Sequence, residues 1–248
     1  MSMLSTLQRT AVLTGKSCAF IARNGPKPTG SLRVCRAEIA LPTDSYPLYE
    51  ALVQMETARL EMPQQPRLVL NFIEVADHGY REFQVMMRAA YGGQERWYLN
   101  HILINNFFGW IYGLKDYGYN KYLYQLDYRF DDQNASMDML LPAGKPYMRA
   151  AFRADPAAPV LEVDDDGSYS VKDNKLIYCK TAMSSIKDVS LHHGYIDVQS
   201  NHFVQHQAEI DYPVEWSRLI PEGRHAASLY HGDVKEIGME PLQVLETW

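Results

Sequence analysis

Residues 67–104 read RLVLNFIEVADHGYREFQVMMRAAYGGQERWYLNHILI, and this stretch determines the fold class that we predict. It is rich in β-branched and aromatic residues, which favour strands. His78-Gly79 marks one turn, and Gly92-Gly93 is a hairpin signal. The stretch therefore predicts three consecutive strands, at 67–76, 80–91 and 96–104.

The rest of the chain continues this β pattern around one early helix. A capping Asp44 or Ser45 followed by Pro47 predicts a helix over about 46–60. Further strands are predicted at 31–41, 121–130, 147–153, 159–163, 168–179 and 186–204. We therefore expect one α+β domain over residues 1–248 that is mostly β and closes into a barrel, with 1–24 as a peripheral segment.

Composition limits the partners and the compartment. The 248 residues carry a formal net charge of −6, which argues against a nucleic-acid binder and against a polybasic membrane-surface protein. The chain also has no apolar run long enough to span a membrane. Cys18, Cys35 and Cys179 are odd in number and widely spaced, so we expect neither disulfides nor a zinc site, and a cytoplasmic location.

Familiar cofactor and metal motifs are missing. The sequence has no GxGxxG, GxxxxGK[ST], GxSxG or HExxH pattern, so no cofactor is predicted. His192-His193, His202 and His206 form the histidine cluster that most resembles a metal site. Within one strand, His202 and His206 would lie about 13 Å apart, too far for one ion, so we interpret them as ordinary histidines.

A lysine in aromatic surroundings is the main candidate for chemistry. Lys121 follows a segment whose aromatic residues include Phe107, Phe108, Trp110, Tyr112, Tyr117 and Tyr119, and Tyr122 and Tyr124 come after it. Desolvation among such rings disfavours the ammonium form, and the neutral amine is a nucleophile for carbonyl carbons. The alternative is a lysine that reaches solvent across an aromatic surface.

An ordered set of short motifs resembles the acetoacetate decarboxylase superfamily. The set consists of Tyr80-Arg81-Glu82, Tyr98-Leu99, Ile104-Asn105-Asn106 and Gly118-Tyr119-Asn120-Lys121. The spacing from Tyr98 through Asn106 to Lys121 fits that family without a gap. The resemblance implies an antiparallel, cone-like β-barrel with flanking helices, and a homo-oligomer.

The resemblance also implies residue roles. Lys121 corresponds to the lysine that forms a Schiff base, and Glu82 to a glutamate that manages protons beside it. The alternative for Glu82 is a strand-edge carboxylate paired with Arg81 or Arg88. Candidate substrate-binding residues are Arg33, Asn71, Glu74, Asn106, Tyr119 and Tyr122. Among them, Arg33 is the nearest candidate for binding the substrate carboxylate, with Arg36 second.

Departures from the family pattern keep several functions open. Tyr122 stands where many family members carry a second lysine, so desolvation has to favour the neutral amine by itself. Asn71 falls near a second family glutamate, with Glu74 three residues later. We therefore expect a Schiff-base lyase of decarboxylase type acting on a β-keto substrate, including larger, polyketide-like ones. The alternatives are a cyclase or an aldolase/dehydratase that uses the same pocket, and a non-catalytic barrel that binds an apolar ligand.

Overall fold

The computed structural model describes residues 30–112, 119–140, 146–161, 167–172, 174–179, 181–200, 216–239 and 243–248. Thirteen strands in these residues belong to one sheet. The strands are β1 (Gly30–Ile39), β2 (Leu68–Val75), β3 (Tyr80–Tyr91), β4 (Gln94–Ile104), β5 (Lys121–Leu123), β6 (Gln125–Phe130), β7 (Asn134–Leu140), β8 (Pro146–Ala154), β9 (Ser168–Lys172), β10 (Lys175–Cys179), β11 (Thr181–Ser200), β12 (Gly223–Met239) and β13 (Gln243–Thr247). The α-helices are α1 (Tyr46–Val53), α2 (Phe107–Tyr112) and α3 (Trp216–Leu219), and two 3-10 helices cover Thr43–Ser45 and Ala76–His78.

The sheet is mostly antiparallel and runs in the order β13-β10-β9-β4-β3-β2-β1-β12-β11-β8-β7-β6. The short strand β5 lies off this path and pairs in parallel with β4. The mostly-β class is confirmed. Closure into a barrel is not, because no pairing joins β13 to β6 within the described residues.

The predicted strand–turn–strand unit at 67–104 is present as β2, β3 and β4. Gly79 has a φ of 57°, and Gly92 and Gly93 have φ values of 56° and 77°. These left-handed conformations suit glycine at both turns. The two hairpins put β3 between β2 and β4, so side chains at alternate positions of three strands share one face.

One face of this unit packs into the main core. Phe72, Phe83 and Leu103 lie on that face and are almost completely buried. Cys35 of β1 and Leu229 of β12 extend the same buried row across the sheet. In each strand, the residues directly before and after these point to the opposite face, which carries the polar side chains described below. At about 25 cal/mol per Å² of apolar surface removed from water, the core face supplies the stability that a polar opposite face cannot.

Several predicted elements differ from the structure in extent. The strand predicted at 168–179 is two strands, β9 and β10, which pair with each other antiparallel. The helix predicted over 46–60 ends at Val53, where the Asn100 side-chain amide donates a hydrogen bond to the Leu52 carbonyl at 2.9 Å. That bond occupies a carbonyl that the next helical turn would use. The strand predicted at 121–130 divides at Tyr124, whose amide bonds the carbonyl of Ile104 before the chain leaves to pair with β7.

Other predictions need correction or lie outside the description. The described part of the strand predicted at 159–163, residues 159–161, has no strand structure. Strands β7, β12 and β13 were not predicted. Strand β7 contains Asn, Ala and Asp, which are depleted in strands, and cross-strand pairing with β6 and β8 overrides this preference. The peripheral segment 1–24, His202 and His206 lie outside the described residues. No helix among the described residues is long and apolar enough to cross a membrane.

Candidate active site

Sheet register brings Lys121 and Glu82 to one face. Ile102 of β4 pairs with Gln84 of β3 on one side and with Lys121 of β5 on the other. Paired residues share a face of the sheet, so Gln84 and Lys121 lie on the same side. Glu82 is two residues from Gln84 and therefore points to that side as well. Residues that are 39 positions apart in the sequence meet in this way.

A buried ion pair forms the centre of the site. Lys121 Nζ donates a hydrogen bond to Glu82 Oε2 at 2.8 Å. Lys121 is 8% exposed and Glu82 is 3% exposed, which confirms the predicted burial of the lysine. Taking two charges out of water is costly, and their attraction and added hydrogen bonds have to offset that cost. The alternative in which Lys121 reaches solvent does not describe this structure.

Three donors surround the Glu82 carboxylate. Besides Lys121, the Tyr80 hydroxyl donates to Oε2 at 2.5 Å and the Gln84 amide donates to Oε1 at 2.5 Å. Burial raises the pKa of Glu82, but the Lys121 charge and the three hydrogen bonds outweigh burial, so the pKa is lowered overall. Burial and the neighbouring carboxylate raise the pKa of Tyr80 well above its usual range, so its hydroxyl remains a donor.

Tyr119 and helix α2 enclose the lysine. The Lys121 Nζ lies 5.9 Å from the centre of the Tyr119 ring, within cation–π range. Trp110 of α2 donates its indole N–H to the Lys121 carbonyl at 2.9 Å, which fixes the backbone of β5 beneath the helix. The aromatic residues near Lys121 therefore hold both its charged end and its backbone.

Asn106, a predicted substrate-binding residue, begins helix α2. Its Oδ1 accepts the Gly109 backbone N–H at 2.9 Å, the usual bond of an N-cap. Gly109 allows the helix to lie close to the sheet, since an added Cβ would come within 2.7 Å of both Tyr80 and Ile104. Helix α2 thus covers Tyr80, and the role of Asn106 in the structure is to cap this helix.

Asn71 lies on the site face, beside Gln84. Its Nδ2 donates to Gln84 Oε1 at 3.1 Å, and its Oδ1 has no hydrogen-bond partner among the described residues. Arg36 of β1 pairs with Asn71 in the sheet and therefore points to the same face. The buried Arg36 guanidinium lies 5.2 Å from the Trp97 ring centre.

Arg33 and Glu74 lie on the opposite face of the sheet. Both alternate with residues of the site face, and they pair with each other across β1 and β2. Glu74 is buried between Arg33, at 3.4 Å, and Arg81, at 3.0 Å. Sequence proximity to Asn71 placed Glu74 among the candidates, but the two-residue period of the strand separates them. Arg81 pairs with Glu74 rather than with Glu82, so the predicted alternative role of Glu82 lacks that partner.

Tyr122 also points away from the lysine. It follows Lys121 directly in a strand, so the two side chains lie on opposite faces. Tyr122 is 44% exposed and stacks on His101 with ring centres 4.8 Å apart. Burial lowers the pKa of His101 to about 4, so this ring is neutral at physiological pH. No cation replaces the family's second lysine at this position.

Tyr80 and Gln84 are site residues that we did not predict from sequence, although a signal for them exists. Tyr80, Glu82 and Gln84 are polar at alternate positions; of the residues that alternate with them, Phe83 and Val85 are apolar and Arg81 is charged. In a strand this pattern puts three polar groups on one face. No group of three or more potential metal ligands occurs among the described residues.

Comparisons with known proteins come from structure. No protein-family model and no curated protein sequence matches the chain. A solved acetoacetate decarboxylase matches with a TM-score of 0.61 at 14% identity, over 90% of this chain and 91% of its own. The enduracididine biosynthesis enzyme MppR in complex with pyruvate gives 0.59 at 10% identity, over 90% and 93%. An acetoacetate decarboxylase-like enzyme from Sphingomonas wittichii RW1 gives 0.54 at 10% identity, over 88% and 95%.

These matches cover nearly whole chains on both sides, and they share one architecture. At such identities they establish the fold rather than the activity. The resemblance inferred from the short motifs is therefore confirmed at the level of structure: the chain has the acetoacetate decarboxylase fold, as a divergent example of it.

Proposed function

We propose that this chain is an enzyme in which Lys121 forms a Schiff base with a keto substrate, and that it acts as a lyase of decarboxylase type on a β-keto acid. The observation that carries the proposal is the buried pair of Lys121 and Glu82, with 2.8 Å between Nζ and Oε2. A buried amine next to a carboxylate has both a nucleophile and a proton acceptor in place.

The amine has to lose a proton before it attacks. Glu82 Oε2 is the nearest described acceptor and already receives a hydrogen bond from Nζ. When a substrate displaces water from the site, the dielectric falls, and moving the proton to Oε2 turns two buried charges into two neutral groups. The neutral amine then adds to the ketone carbon. The carbonyl oxygen takes up protons and leaves as water, and a protonated imine remains.

The protonated imine supplies the electron sink for bond cleavage. The electron pair of the bond to the carboxylate moves toward the imine nitrogen, carbon dioxide leaves, and an enamine forms. Protonation of the enamine carbon and attack by water release the ketone and regenerate the Lys121 amine. Glu82, once again ionised, stabilises the positive imine from the distance at which it now holds the ammonium.

A β-keto acid also needs a partner for its carboxylate. Arg36 supports this role better than Arg33 does, because Arg36 points to the same face as Glu82 and Lys121. Its guanidinium is buried against Trp97 and two-pronged, which suits a carboxylate. Arg33 is engaged with Glu74 on the other face.

A condensation reaction is the second candidate. One solved MppR structure holds pyruvate, and another holds the condensation product of pyruvate and imidazole 4-carboxaldehyde. The same enamine can attack an aldehyde carbon instead of taking up a proton, so one lysine serves both outcomes. In this chain, Asn71 stands near the position of the second family glutamate, and an amide cannot exchange protons as a carboxyl group does.

Product analysis tests the proposal. The purified protein is incubated with a panel of 2-keto and β-keto acids, alone and with aldehydes, and products are followed by proton and carbon-13 NMR. Loss of carbon dioxide indicates a decarboxylase, a new carbon–carbon bond indicates an aldolase, and loss of water from that adduct indicates a dehydratase. Lys121→Arg should abolish either product, and Glu82→Gln should slow it by about 10²-fold. Lys175→Arg, at an exposed lysine, is the matched control. No turnover of any keto acid would contradict the proposal and leave the cyclase and the non-catalytic ligand carrier.

A further inference from the structure

Two side-chain amides form a partly buried chain that ends on the Glu82 carboxylate. Asn71 Nδ2 donates to Gln84 Oε1 at 3.1 Å, and Gln84 Nε2 donates to Glu82 Oε1 at 2.5 Å. Asn71 and Gln84 are directly paired across β2 and β3. The chain therefore crosses from β2 to β3 between paired residues, runs two residues along β3 to Glu82, and stays on the face that holds Lys121.

The chemistry of its end group fixes the direction of this chain. An ionised carboxylate only accepts hydrogen bonds, so Gln84 has to present its NH₂ group to Glu82. The Gln84 oxygen then faces Asn71, which has to present its own NH₂ group. The Asn71 oxygen is left on the far side, and there it is buried without a hydrogen-bond partner among the described residues. A flip of either amide would place two acceptors against each other.

The two oxygens of Glu82 accept hydrogen bonds from different donors. Oε1 is occupied by Gln84, whereas Oε2 accepts from Tyr80 and from Lys121. A carboxylate turns easily about its last side-chain bond, since that torsion has broad minima. With Oε1 anchored, Oε2 remains directed at Nζ throughout a reaction in which Nζ changes from ammonium to imine.

We propose that Gln84 is a positioning residue, which anchors Oε1 of Glu82 and thereby directs its Oε2 at Lys121, and that Asn71 fixes Gln84 in the orientation this requires. The inference rests on the proposed function only in giving Lys121 the role of nucleophile. The hydrogen bonds that carry it are a property of the folded protein.

The ionisation of Glu82 provides a test that needs no substrate. Glutamate labelled with carbon-13 at its side-chain carboxyl is incorporated, and the Glu82 signal is assigned by its absence in Glu82→Gln. Gln84→Met keeps a chain of similar length but removes the donor, so the Glu82 titration midpoint should move to higher pH. Gln125→Met, at an exposed glutamine of β6, should leave it unchanged. An unmoved midpoint in a folded Gln84→Met protein would overturn the proposal.

Adduct formation provides the second readout. Gln84→Met should slow borohydride trapping of a keto acid on Lys121 by about tenfold, the loss expected for one hydrogen bond to a charged group, with the half-saturating concentration unchanged. Asn71→Leu leaves Gln84 in place and should shift both readouts in the same direction, by less. It also serves as the test if Gln84→Met does not fold.

The two readouts separate this inference from the proposed function. If the wild-type protein traps no keto acid but the Glu82 midpoint still moves in Gln84→Met, the proposed function fails and the positioning of Glu82 stands. If trapping on Lys121 occurs at the same rate in wild type, Gln84→Met and Asn71→Leu, the proposed function stands and the positioning role fails.

Discussion

Lys121 Nζ and Glu82 Oε2 lie 2.8 Å apart in a site where both side chains are more than nine-tenths buried. A buried ion pair adds little net stability relative to a well-packed apolar pair, because desolvation offsets the attraction. Breaking one partner, however, leaves an uncompensated buried charge. The pair is therefore better explained by chemistry than by stability, and this difference gives the first prediction.

The first prediction is a strong coupling between the two residues in stability. Glu82→Gln and Lys121→Met should each lower the free energy of unfolding by about 3–5 kcal/mol, because each leaves a buried charge unpaired. The double variant should recover most of that loss. Urea unfolding of the wild type and the three variants measures the coupling as a double-mutant cycle. Additive losses would mean that the two side chains do not form a pair in solution.

The second prediction is an acid-sensitive contribution to stability from Glu82. Its pKa is lower in the folded protein than its ordinary value of 4.5, so its contribution is present above that value and is lost as the pH falls through the folded pKa. Below about pH 4.5, the free energy of unfolding of the wild type should therefore fall relative to that of the Glu82→Gln/Lys121→Met double variant. Melting curves from pH 7 to pH 3 measure it, and parallel pH profiles would contradict it.

The third prediction separates a helix cap from a substrate contact. Asn106→Ala should lower the free energy of unfolding by about 1 kcal/mol, because it removes the acceptor for the Gly109 N–H. Asn106→Asp should retain the cap. The half-saturating concentration for keto-acid trapping should stay the same in both variants. A large rise in that concentration with unchanged stability would return Asn106 to the substrate-binding role predicted from sequence.

The fourth prediction distinguishes the two arginines of β1. Arg36→Met should raise the half-saturating concentration of a keto acid by about 10- to 100-fold, the worth of hydrogen bonds between charged groups, but not that of an uncharged ketone. Arg33→Met should leave both concentrations unchanged and lower stability, since it removes one of the two partners of buried Glu74. If the half-saturating concentration of the keto acid rises in Arg33→Met and not in Arg36→Met, the carboxylate binds on the other face.

Much of the central fold could be predicted because local patterns and long-range pairing agree there. Composition predicts the strand at 80–91 and the turns at Gly79 and Gly92. In the structure the strand has these bounds, and both glycines have the positive φ that such turns require. Strand β7 carries Ala and Met where β-branched residues would signal a strand, and it forms because β6 and β8 flank it. Helix α1 stops early because of Asn100, a contact from a strand about 50 positions later that no local pattern contains.

The site was predictable in part for the same reason. Lys121 and Glu82 were selected by motif and surroundings, and the structure brings them into contact. Arg33 and Arg36 could not be ranked from sequence, because the choice depends on which face of β1 meets Asn71, and that register is set between distant strands. Tyr80 and Gln84 could have been predicted from the two-residue period of β3, because that period places both of them on the same face as Glu82.

The measurement that tests the central claim most directly is borohydride reduction of the protein in the presence of a keto acid, followed by peptide mass mapping. We expect one stable adduct, located on Lys121, that is absent in Lys121→Arg and present in Lys175→Arg. Its mass shows whether the trapped species has kept its carboxylate or lost it. An adduct on other lysines but not on Lys121, or no adduct from a protein that nevertheless converts keto acids, would contradict the assignment of Lys121 as the nucleophile.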